Sequence, residues 1–216
     1  MTDPATLAEI VKLTLFMTGV SVAIASVVGI PLGSWLGLAR FRGRELVVGL
    51  VHTGMALPPV LVGLLVYLAL SRSGPLGSLG WLYTPKAMIA AQVILALPLV
   101  VGITMNGVAA VPRELFDQLR GLGATMPQAR LAIRREARSA VALAIATALG
   151  RSLSEVGAVM MVGGNIKGHT RVLTTSIVLD TSRGDFAMAL ALGAVLLGLA
   201  LVVNFVILRT QARGAA

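Results

Sequence analysis

The stretch Ala87–Val111, AMIAAQVILALPLVVGITMNGVAAV, decides the fold. It is dominated by Leu, Val, Ala and Ile and is longer than the roughly 20 residues a helix needs to cross hydrocarbon. In such a solvent no water is available to backbone N–H and C=O groups, so each must be paired within the segment, which dictates a helix. Four further stretches of the same kind flank it: Leu13–Leu38, Leu46–Leu70, Ala140–Val162 and Phe186–Leu208. Strand-like alternation is absent, which excludes a β-barrel. The expectation is an all-α, polytopic membrane protein with five transmembrane helices in a single domain spanning residues 1–216.

Composition agrees. The 216 residues are 56% hydrophobic and only 12% charged, with a mean hydropathy of +0.90. Soluble domains carry about twice that charged fraction. The net charge of +9 would suit nucleic acid, but the basic residues cluster between apolar stretches and aromatics are only 4%, so no base-stacking surface is built and nucleic acid is excluded as a partner. Cysteine is missing, which removes disulfides, thiolate metal sites and thiol nucleophiles. His52 and His169 are not at metal-ligand spacing, and Met55, Met105, Met160 and Met161 read as packing, so no metal site is expected. The N-terminus, with Asp3 and Glu9, does not read as a signal peptide.

Basic residues also orient the chain. Arg40, Arg42, Arg44, Arg113, Arg120, Arg130, Arg134, Arg135, Arg138, Arg209 and Arg213 fall on one side; Lys12, Arg72, Lys86, Lys167, Arg171 and Arg183 fall on the other. The richer side is expected to be cytoplasmic in a multi-pass cell-membrane protein, with the N-terminus outside and the C-terminus inside. Small residues such as Ala142, Ala144, Ala146, Ala148 and Gly150 allow close helix approach. Gly29, Pro31 and Gly33 interrupt the first span, Pro58–Pro59 the second and Pro98 the third.

The loop at residues 112–138 is the most informative. Leu115, Leu119, Leu122 and Met126 form one apolar helical stripe widened by Phe116, opposite Glu114, Asp117, Gln118 and Arg120. Gly123 suits the left-handed residue that closes a helix. Thr125 and Gln128 form a capping-box pattern, with Pro127 in the first turn of a second helix. The mixed charges of the polar face favour a protein groove over a lipid surface as the seat of this helix.

Here the sequence resembles a family. Asp117-Gln118-Leu119-Arg120-Gly121-Leu122-Gly123, continuing to Ile133, is similar to the EAA loop of ABC-importer permeases, with Gly123 and Ile133 at matching places and Asp117 standing for the Glu. Gln118 and Leu119 replace the two Ala, and Arg135-Glu136 replace Leu-Pro. Ala56–Val60 and Ser73–Gly77 resemble molybdate/tungstate permeases. Ser154–Ala158, Gly163–Ile166, Thr170–Thr175 and Thr181–Gly184 resemble the tungstate branch most. The resemblance implies a type I ABC-importer permease that moves a tetrahedral oxyanion. Tungstate is the first choice, and molybdate or sulfate the alternative. It implies a homodimer, a cytoplasmic ABC ATPase docked on Glu114, Leu115, Phe116, Asp117, Leu119, Arg120, Leu122, Gly123 and Met126, and an extracytoplasmic oxyanion-binding protein. No G-x-x-x-x-G-K-[ST] loop occurs, so this chain is expected to be no enzyme and to bind no cofactor, with ATP and magnesium on the partner subunit.

Ionisable residues within a span mark function by default. Arg151 and Glu155, four apart, read either as a neutralising pair or as pathway lining. Pro58, Pro59, Asn165, Thr174 and Thr175 complete the pathway or gate candidates. Lys167, Arg171 and Arg183, in an outer segment read as a short amphipathic or re-entrant helix, are candidates for docking the binding protein. An intramembrane enzyme would need a nucleophile–base pair in the bilayer, and a secondary transporter would show an inverted repeat; neither is found.

Overall fold

The computed structural model describes residues 4–215, with no strand among them. Ten helices follow in order: α1 Pro4–Leu38, α2 Arg44–Met55, α3 Pro59–Leu70, α4 Pro85–Ala109, α5 Arg113–Gly121, α6 Met126–Glu136, α7 Arg138–Leu153, α8 Gly157–Gly163, α9 Leu173–Ser182 and α10 Phe186–Ala215. Three are long and apolar enough to cross a membrane: α1, α4 and α10. Two bent pairs qualify as well, each counted as one: α2 with α3, bent by 97°, and α7 with α8, bent by 57°. The count of five therefore requires that each bent pair cross as one broken span.

The interruptions differ from the sequence expectation, and the reasons are local. Pro31 and Pro98 leave α1 and α4 continuous. At Pro58–Pro59 two successive residues lack an N–H and Pro58 is extended (φ −65°, ψ 122°), so α2 stops and Pro59 starts α3 in a new direction. The second break, after Leu153, contains no proline.

The core is assembled on α4. Its most extensive partner is α1, and the seam is a glycine stripe at Gly29, Gly33 and Gly37. A Cβ on Gly33 would lie 2.5 Å from the Val101 carbonyl oxygen, and one on Gly37 would lie 2.8 Å from that of Met105. Glycine here is what lets two backbones touch. The halves of the broken spans pack separately. Toward one end, α2 lies on α4, with Gly54 against Pro98 and Met55 against Gly102. Toward the other, α3 lies on α8, where a Cβ on Gly63 would come within 2.6 Å of the Ala158 Cα.

G33V should destabilise the fold, because overpacking a closed seam costs about 1–3 kcal/mol. G19V, at a position with open space around it, should not. Thermal unfolding of the purified variants in detergent checks this, with a lowered midpoint expected for Gly33→Val alone.

Candidate functional site

Two regions carry the candidate residues: an elbow between α4 and α7, and the neighbourhood of the α7–α8 break.

At the elbow, α5 ends where Gly123 takes the left-handed conformation (φ 88°). Gly123 N–H donates to Arg120 O and Ala124 N–H to Leu119 O, both at 3.0 Å. The Arg120 guanidinium donates to Ala124 O at 2.6 Å, so this side chain closes its own helix end. Thr125 N–H donates to Gln128 Oε1 at 2.8 Å, which is the capping arrangement its spacing predicts. The apolar stripe divides. Phe116 turns inward onto a cluster built by Val108, Ile133 and Ala137, so it anchors the elbow to the rest of the chain. Leu122 is 85% exposed and Met126 47% exposed, while Leu115 and Leu119 are half-buried. Glu114 and Asp117 are exposed beside them. The elbow thus offers two unpartnered apolar side chains at its tip and is fastened from behind.

The break after Leu153 separates Arg151 from Glu155. The expected pairing rests on the i, i+4 alignment of one continuous helix, and α7 ends between them. The pair reading therefore loses its geometric basis. Glu155 is buried, and its Oε1 accepts the Ala158 N–H at 2.9 Å, capping the first turn of α8. A carboxylate at a helix N-terminus is stabilised by the free N–H groups and the helix dipole. Arg151 is half-buried on the last turn of α7. Pro58 is exposed at the other break, and Pro59 is half-buried beside it.

Thr174 and Thr175 do not offer free hydroxyls. Thr174 Oγ1 donates to Glu155 O at 2.9 Å; Thr175 Oγ1 accepts the Val172 N–H at 3.0 Å and donates to Val172 O at 3.1 Å. Both are buried and hold α9 against the break. Asn165 sits in the left-handed region (φ 51°), which Asn tolerates, and its Oδ1 and carbonyl oxygen both accept from Arg171 at 3.2 Å. Arg171 is thereby tied to a turn. Lys167, Arg171 and Arg183 nevertheless converge. They line one cavity of about 410 Å³ between α9 and the N-terminal parts of α1 and α10, together with Asp180, Asp185 and Ser176. The Ser176 hydroxyl is buried and has no hydrogen-bond partner among the described residues.

Sequence reading missed Gln92. Buried on α4, it accepts from Ser21 Oγ at 3.0 Å and donates to Ser152 O at 3.2 Å, linking α1, α4 and α7. A lone amide in an otherwise apolar span is the signal that could have found it.

The family described as binding-protein-dependent transport system inner membrane component matches residues 29–213. The chain belongs to that family. As a transport-system inner membrane component it is a membrane protein, and the family is a translocation component rather than a catalyst. A probable anion ABC transporter permease protein of Haloferax volcanii is 42% identical over 203 residues, covering 92% of this chain and 88% of that one. The tungstate uptake system permease protein TupB of Peptoclostridium acidaminophilum is 45% identical over 202 residues, covering 94% and 89%. Among solved structures, an inward-facing form of the MetNI methionine ABC transporter superposes with a TM-score of 0.82 over 99% of each chain at 22% identity. That likeness establishes the shared type I permease fold.

In this transport component Glu155 should act as a cap and not as an ion-pair partner. E155Q, which keeps an acceptor oxygen, should be tolerated, whereas E155L should lose about 0.5–2 kcal/mol. The loss should be the same in an Arg151→Leu background, with a coupling energy below about 0.5 kcal/mol in a double-mutant cycle of detergent unfolding.

Proposed function

We propose that this chain is the membrane permease subunit of an ATP-driven ABC importer that takes up a tetrahedral oxyanion, tungstate first and molybdate or sulfate as the alternative. The observation that carries the reading is the 45% identity over most of its length to a tungstate uptake permease, set beside the 42% identity to an anion permease.

The elbow seats in a cleft of a separate ATPase subunit, with Leu122 and Met126 as the apolar contacts and Glu114, Asp117 and Arg120 around them. ATP and magnesium are bound and hydrolysed by that partner. The elbow side is cytoplasmic, the N-terminus lies outside, and the five crossings include both bent pairs. Two copies enclose one pathway, since the long exposed apolar faces of α3 and α10 need lipid or a second copy against them. The opposite end receives the anion from a binding protein. Exposed Lys167 and Arg183 are suited to that contact, while Arg171 holds the turn that presents them. Arg151, half-buried near the α7–α8 break, is the cation best placed to meet a passing anion. Pro58 and Pro59 set the direction of the second broken span.

Uptake of labelled tungstate by cells expressing the full system tests this. Excess unlabelled tungstate should abolish it and molybdate should compete more weakly; sulfate competing best would move the substrate to the alternative. L122D should reduce co-purification of the ATPase at least about tenfold, as expected for a charge placed in an apolar contact. Because the chain has no cysteine, a single Arg120→Cys reports sidedness; an impermeant maleimide should label it only after the cells are opened.

A further inference from the structure

α1 stays apolar to Leu38, and the chain then turns basic at Arg40, Arg42 and Arg44. That change marks the level at which a helix passes from hydrocarbon to headgroups, where tryptophan rings collect. Trp35 lies one turn inside that level, half exposed and stacked on Phe41 with ring centroids 5.4 Å apart.

Opposite stands α6. Its Ala129 and Ile133 are buried, so Arg130, Leu131 and Arg134 face away from the core and toward the end of α1. Between the two helices is a crevice of about 210 Å³, with Pro31, Trp35, Leu38 and Leu131 as apolar walls and Arg130 and Arg134 as its charged groups; among the described residues no carboxylate lines it. The two arginines are one helical turn apart, on the order of 5–6 Å, so two planar forks can converge on one tetrahedral phosphate. Below the crevice, Leu32 and Val28 continue an exposed apolar track along α1, 45% and 44% accessible.

We propose that this crevice binds an anionic phospholipid, its phosphate held by Arg130 and Arg134 and its acyl chain lying over Trp35, Leu32 and Val28. The arginines alone would suit any phosphate. The apolar walls and the track leading into the hydrocarbon fit only a phosphate that carries a chain. α6 joins the elbow through the Gly123 turn and α7 through Ala137, so a lipid seated here braces the elbow against α1. Lipid seated here would be held whichever anion the protein transports.

Native mass spectrometry of the full-length chain, purified in detergent with added phosphatidylglycerol or phosphatidylcholine, tests it. The wild type should retain one phosphatidylglycerol and little phosphatidylcholine. R130Q/R134Q should lower that retention about tenfold or more, while R135Q/R138Q, with the same charge loss elsewhere, should not. L131W, which fills the crevice and keeps both charges, should also release the lipid. Equal loss in the two double variants, equal retention of phosphatidylcholine, full retention in Leu131→Trp, or displacement of the lipid by inorganic phosphate would each overturn the proposal.

Discussion

A helix that breaks inside hydrocarbon must find partners for the backbone groups it frees, and that constraint organises this structure. At the α7–α8 break, the buried Glu155 carboxylate accepts the Ala158 N–H that opens α8. The Glu155 carbonyl oxygen accepts from Thr174 on α9. The Leu173 N–H in turn donates to Thr14 Oγ1 on α1 at 3.1 Å. One broken helix is thereby tied to an element that follows it and to the helix that begins the chain. A buried carboxylate left without such donors would cost several kcal/mol. Glu155 is tolerated because its acceptor is used.

From the other side, the same break is mechanically continuous with the elbow. α5 turns through Gly123 into α6, and α6 passes through Ala137 into α7. Ile133 and Phe116 clamp this assembly onto Val108 near the end of α4. Force applied at Leu122 therefore has a rigid route, made of packed helices, to the point where α7 ends. The glycine seam between α1 and α4 supplies the fixed frame against which such a displacement can act. Transmission through packed helices needs an element with two arrangements, and the bends between α2 and α3 and between α7 and α8 are the places where the fold can supply one.

Much of this was legible in the chain. Apolar stretches near transmembrane length gave the helices because lipid leaves the backbone no other solution. The elbow was legible because its signals are local: a glycine in the left-handed region at residue 123 and a Thr–Gln cap three residues apart. The Pro58–Pro59 break was visible as a kink, though not as a turn of 97°. The α7–α8 break was not visible at all, since Ser154-Glu155-Val156 contains no helix breaker and the same residues read well as continuous helix. Its cause is tertiary: α9 and the packing of Gly63 on Ala158 hold α8 in its own direction. For the same reason nothing local shows that the hydroxyls of the gate candidates Thr174 and Thr175 are already bonded, and nothing local singles out Gln92. Its partner Ser21 is 71 residues away in sequence, so nothing local announces the bond.

On the proposed function, a separate nucleotide-hydrolysing subunit drives the elbow. Reconstitution of this chain in liposomes, with the oxyanion-binding protein outside and labelled tungstate supplied through it, measures that directly. Accumulation should require both the ATPase subunit and hydrolysable ATP. Undiminished accumulation by the permease without that subunit would contradict the account.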